Sequence, residues 1–192
     1  MRKFQRSALY STILFCCFLI GVIGGCVLAA LNQPSAAMQS LLNDHFVLIA
    51  DNKISVPILS VILNCIRWPI IVVTASLLPC PTLVIPALLA LRGLCLSYTT
   101  TCLCASFRID GLTLSATLFS SLLIFELPAL FILSNAAFCG AASASDTHNL
   151  SYRQRIHAES LAIASGFLLA AIAMHLTAIP SLFSAVCLRL FT

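Results

Sequence analysis

Charge is what this 192-residue chain has least of: Asp, Glu, Lys and Arg make up 8% of it, against 60% hydrophobic residues. A soluble domain carries about one quarter charged residues. A water-facing surface is therefore excluded over most of the length, and the chain reads as an integral membrane protein with no room for a separate soluble domain. Acids are scarcest, 6 against 10 Lys and Arg. The resulting +4 lies mainly at the ends of apolar runs, where it bears on topology, and no nucleic-acid partner is expected. The motifs of enzymes are missing too. There is no H-E-x-x-H, no G-x-S-x-G, no paired Asp within the apolar runs and no phosphate-binding glycine loop. Ser165 and His175 share one apolar run, but ten residues of helix hold them about 15 Å apart. No catalytic residue, metal site or cofactor is expected. Cysteine is plentiful, 10 residues, yet no C-x-x-C occurs, and the single C-x-C at Cys102 and Cys104 is weak evidence for a metal. Most of the thiols lie in apolar runs and read as small apolar residues packed between helices.

What is present is a series of long apolar segments. About 20 apolar residues at about 1.5 Å each cross the hydrocarbon of a bilayer. On that basis the chain divides into about five spans, near residues 8–31, 56–78, 83–104, 112–138 and 161–188, and the expected fold is an all-α transmembrane bundle. The first follows a basic start, Arg2, Lys3 and Arg6, and is longer than the core of a signal peptide. Ile23-Gly24-Gly25-Cys26 resembles a lipoprotein cleavage site, but an uncleaved span explains the glycines better. Gly21 and Gly25 form G-x-x-x-G, which lets another helix approach closely, in this chain or in a homo-oligomer.

Between spans 1 and 2, Met38, Leu41, Leu42, His45, Phe46 and Ile49 recur at helical spacing. This segment is too polar to span and reads as a short amphipathic helix on the membrane lipids or capping the bundle. Pro79-Cys80-Pro81 separates spans 2 and 3, because two prolines so close cannot continue a helix. The rival division takes the residues between Arg67 and Arg92 as one proline-kinked span. It leaves Leu94 to Phe107 too short to cross. Arg108, Asp110 and Gly111 mark a short turn into span 4, and residues 141–159 read as a hydrophilic loop before span 5.

Span 4 holds the one acid in any span, Glu126, followed by Leu127, Pro128 and Ala129. An acid at mid-membrane depth costs about 2–3 kcal/mol even on lenient scales, so it needs a partner. Pro128 withholds a backbone donor and kinks the helix beside it. Arg67 and Arg92 fall near the middle of spans 2 and 3, so a network of Arg67, Arg92 and Glu126 is expected, one carboxylate between two guanidiniums. It reads either as a device that registers the helices or as a polar path or docking point. Counting basic residues, Arg2, Lys3, Arg6, Arg153 and Arg155 fall on the N-terminal side of the membrane, with Lys53, Arg108 and Arg189 opposite. That bias puts the N-terminus in the cytoplasm and the C-terminus outside. It also puts the Asn149-Leu150-Ser151 triplet inside, away from glycosylation.

The order of these features resembles the stage II sporulation protein M family. The likeness rests on the glycine run of residues 18–25, Asn64-Cys65-Ile66-Arg67 at span 2, Arg92-Gly93 in span 3 and Glu126-Leu127-Pro128-Ala129 in span 4, and it covers nearly the whole chain. The chain departs from the family at Leu122 and Leu123, where many relatives have His-Gly, and at Arg92, where others often have Asn. The resemblance implies a non-enzymatic membrane scaffold of spore-forming bacteria. Such a protein localises the peptidoglycan-degrading stage II sporulation proteins D and P at the septal membrane during engulfment. The buried charges and proline-broken spans also suit a different class, a permease subunit working with a separate ATPase.

Overall fold

The computed structural model describes residues 2–32, 40, 58–78, 80–142 and 150–191, and all regular structure among them is helical. Six α-helices and one π-helical turn follow in chain order: α1 (Arg2–Leu31), α2 (Ile58–Ala75), α3 (Pro81–Phe107), α4 (Ile109–Ser121), the π turn (Leu122–Glu126), α5 (Leu127–Ala142) and α6 (Leu150–Phe191). Four stretches are long and apolar enough to cross a membrane: Leu9–Leu31, Pro81–Phe107, Ile109–Gly140 and Ala158–Leu182. The remaining helix, α2, has 18 residues, about 27 Å of rise against roughly 30 Å of hydrocarbon.

The break between α2 and α3 lies at the prolines. A turn over residues 76–78 follows α2, and α3 starts on Pro81, at a position where the missing N–H costs nothing. The division that runs one span from Arg67 to Arg92 is thus set aside. The next junction is sharper. Arg108 takes φ 54°, the one positive value at a non-glycine residue among the described residues, and donates its N–H to the Cys104 carbonyl at 2.8 Å. The chain doubles back at once into α4, close enough that a Cβ on Gly111 would strike the Leu103 carbonyl. Residues 141–159 are not one loop, since α6 begins at Leu150 and its polar first turns extend the helix beyond the apolar part. The expected amphipathic helix at 38–49 lies outside the described residues, apart from Ser40, which is helical.

The large apolar side chains are distributed as lipid requires. Leu9, Ile20, Ile23, Leu83, Leu161 and Leu169 face outward, whereas Ala29, Ala129, Ala164 and Ala171 are buried. Hydrocarbon rewards Leu as well as a protein interior does, so close approach through small residues holds the helices together. Gly21 and Gly25 show this directly. A Cβ on Gly21 would run into the Ala90 backbone, and one on Gly25 into Ser97 and Leu94. Gly93 answers from α3, seated against the Phe18 backbone of α1. The G-x-x-x-G face is therefore occupied by a helix of the same chain. Toward α5, the aromatic pairs Tyr10–Phe138 and Phe18–Phe131, with ring centroids 5.1 and 5.6 Å apart, close the core around Leu14, Leu89 and Leu133.

The thiols are less buried than their apolar surroundings suggest. Cys16, Cys26, Cys80 and Cys95 are exposed, and Cys65 is the one buried cysteine among the described residues. Packing between helices describes Cys65, and Cys26 meets α3 through the Thr101 hydroxyl, which donates to its sulfur at 3.6 Å. Cys16 and Cys95 face outward, and Cys80 lies in the turn between the prolines.

Candidate functional site

The polar centre of the bundle is built around the π turn. Its mark is the Leu127 N–H bonded to the Leu122 carbonyl, five residues back. Pro128 follows at once, and its ring would crowd the carbonyl four residues earlier. One wide turn relieves that crowding, so the kink expected from Pro128 takes the form of a π turn ending on Glu126. Such turns often accompany functional residues. Glu126 is buried, 7% exposed, and points into the bundle.

Its two oxygens face different helices. Oε2 lies 3.4 Å from Nη2 of Arg92 on α3, and Oε1 lies 3.4 Å from Nε2 of His175 on α6. The Arg92 guanidinium also rests over the Trp68 ring of α2, 4.8 Å from its centroid, which adds a cation–π attraction of about 1–2 kcal/mol for a desolvated cation. His175 Nε2 is 2.6 Å from the Ser121 hydroxyl oxygen. With Nε2 bare, Ser121 donates to it; with Nε2 protonated, the ring donates toward Ser121 and Glu126. Cys65, 1% exposed, completes the group, its sulfur within 4.8 Å of ligand atoms on both Glu126 and His175. Prolines flank the cluster on two sides, Pro69 on α2 and Pro128 on α5. The adjoining recess, between Trp68, Pro69, Leu122 and Leu130, holds about 10 Å³, the room of a single water molecule.

The expected triad of charges needs one correction. Arg92 meets Glu126, but Arg67 does not; it is exposed on α2. The reason is helical phase. Cys65, Pro69 and Val72 are buried and form the inward stripe at i, i+4 and i+7, so Arg67, about 200° from Cys65, points away. The second nitrogen partner of Glu126 is His175. The signal in sequence is a lone ionisable residue deep in the last apolar run. Ser121 and Cys65 carry no signal in sequence, because neither residue type is unusual in an apolar helix.

Chemically, the group can hold a proton, shared among Ser121, His175 and Glu126, or a cation bound by sulfur, nitrogen and oxygen. The chain matches no family model, no curated protein and no solved structure.

Proposed function

We propose that the protein is a non-enzymatic scaffold of the stage II sporulation protein M kind, multi-pass in the cell membrane with its N-terminus in the cytoplasm. In this reading it holds peptidoglycan-degrading engulfment proteins, resembling stage II sporulation proteins D and P, at the septal membrane. One observation carries the reading. Three of the four segments behind the likeness, far apart in sequence, meet at the dipeptide Arg92-Gly93; the fourth, Asn64-Cys65-Ile66-Arg67, does not. Gly93 seats α3 on the glycine face of α1, and the adjacent Arg92 reaches Glu126 of the Glu-Leu-Pro motif. These residues act as joints that fix α1, α3 and the π turn relative to one another, which is what a scaffold needs from its interior. The minimal room beside them, about 10 Å³, suits a static core better than a solute path.

Complementation tests this. Expressed in a spore-former lacking its own stage II sporulation protein M, the chain should restore engulfment and retain the D and P proteins in a detergent pull-down. Normal accumulation in the membrane with neither rescue nor retention would overturn the scaffold. A second reading, a permease subunit, draws on the Ser121–His175–Glu126 hydrogen-bond chain, which could pass a proton between helices. It requires a neighbouring ATPase gene and proton- or ATP-dependent uptake in reconstituted vesicles.

A further inference from the structure

We infer that Cys65, Glu126 and His175 form a binding site for a borderline divalent cation of the zinc class, a clamp between α2, the π turn and α6. The inference stands whether or not the protein is a scaffold. It rests on the kind and placement of the donors. A thiol, a carboxylate and an imidazole come from three separate helices, each buried or half-buried, with their ligand atoms all within 4.8 Å of one another. Donors arranged tetrahedrally on zinc stand about 3.5 Å apart, so the set closes by about 1 Å on binding. The π turn that carries Glu126 is the kind of helix irregularity that absorbs such a shift.

The surroundings match what metal ligands require. A ligating carboxylate is normally held by an outer hydrogen bond. Here Oε1 faces the His175 imidazole, while Oε2 is turned to Arg92. The guanidinium therefore orients the carboxylate without blocking the ligand oxygen, and Trp68 beneath it helps to bear its charge. The Ser121 hydroxyl, 2.6 Å from His175 Nε2, stands beside the set as an oxygen for the fourth position. On binding, the Cys65 thiol loses its proton to solvent, the imidazole binds neutral, and the thiolate and carboxylate together offset the two positive charges of the ion. The mixture of soft sulfur, borderline nitrogen and hard oxygen selects zinc or cobalt(II) over magnesium and calcium, which take oxygen alone.

The test uses the full chain purified in detergent, stripped with a chelator and titrated with Co²⁺. The expected result is saturable thiolate-to-cobalt charge-transfer absorption at an equimolar endpoint, bleached by Zn²⁺. Cys65→Ser should abolish that absorption, and His175→Gln should weaken affinity at least about tenfold, while Cys16→Ser and Cys95→Ser leave it unchanged. Arg92→Gln should weaken it by about 10–100-fold, the usual effect of losing an outer partner. Absence of the band in the wild-type chain, or its survival in Cys65→Ser, overturns the site. Should Cys65→Ser fail to fold, zinc X-ray absorption on the wild-type chain decides instead. One sulfur among nitrogen and oxygen neighbours supports the site, and a shell with no sulfur, or with several, overturns it.

Discussion

Arg92 Nη2 stands 3.4 Å from Glu126 Oε2, an ion pair between side chains that are 13% and 9% exposed. Breaking a buried pair from one side typically costs about 3–5 kcal/mol, but the two sides here are not equivalent. Glu126→Gln leaves the Arg92 guanidinium over the Trp68 ring with no opposing carboxylate at that oxygen. Arg92→Gln leaves Glu126 with His175 still 3.4 Å from its Oε1. We therefore predict that Glu126→Gln lowers the amount of folded protein more than Arg92→Gln does, and that the double variant recovers part of the loss. Arg67→Gln, on the outward face of α2, should rescue nothing. Thermal unfolding in detergent measures all four. Equal losses from the two single variants would show that His175 does not substitute for Arg92.

The glycine seam makes a sharper prediction because it has internal controls. Gly21, Gly25 and Gly93 face backbone or side-chain atoms that a Cβ would strike, whereas Gly24 and Gly166 face open space. Alanine at any of the first three should destabilise the fold by about 1–3 kcal/mol, the usual cost of overpacking. Gly24→Ala should be neutral or slightly stabilising, since alanine is the better helix former by about 1 kcal/mol. A Gly24→Ala loss equal to that of Gly21→Ala would mean that propensity or lipid, not α3, sets the response.

Topology turns on α2. With 18 residues it is the shortest candidate span. If it crosses, the ends lie on opposite sides, and the orientation we propose puts the first residues in the cytoplasm. Reporter fusions at each end, with a third in residues 143–149, check this. Both ends on the same side would show that α2 does not cross.

Much of this architecture was legible in the amino-acid order, and the reason differs from element to element. Apolar length alone reveals α1, α3, the α4–α5 run and α6, because a bilayer demands that length. Glu126 and Pro128 stand out because an acid and a proline are each costly in a span. Arg92-Gly93 does so because its neighbours are uniformly apolar. Helical phase turns Arg67 outward, because Cys65, Pro69 and Val72 form the inward stripe of α2. The meeting of Cys65, Ser121 and His175 is another matter. It depends on how three helices are rotated against one another, which no spacing within a helix encodes.

Ser134 offers a test of the interior away from the charges. It is fully buried on α5, and its hydroxyl has no hydrogen-bond partner among the described residues. An unsatisfied buried hydroxyl costs about 1–3 kcal/mol relative to a satisfied one. Ser134→Ala should raise thermal stability or leave it unchanged, and a clear loss would reveal an interaction made only in the membrane.

The α3–α4 turn should respond with opposite signs at two positions three residues apart. Arg108 sits at φ 54° and ψ −125°, a region that glycine enters freely and a residue with a Cβ enters at a cost of about 1–3 kcal/mol. Its side chain is exposed, so its removal sacrifices little packing. Arg108→Gly should accordingly stabilise the hairpin, by about 1 kcal/mol after the extra freedom of glycine in the unfolded chain is deducted. Gly111 has ordinary helical backbone and would tolerate a Cβ on conformational grounds alone. What forbids one is the Leu103 carbonyl of the preceding helix. Gly111→Ala should therefore destabilise, and no change of turn conformation at Arg108 should rescue it, because its cost is steric contact between α3 and α4. Unfolding midpoints of the two single variants and the double variant decide the matter. Additive effects of opposite sign are expected. A stabilised Gly111→Ala variant would show that the two helices lie farther apart at this turn than the contact with Leu103 implies.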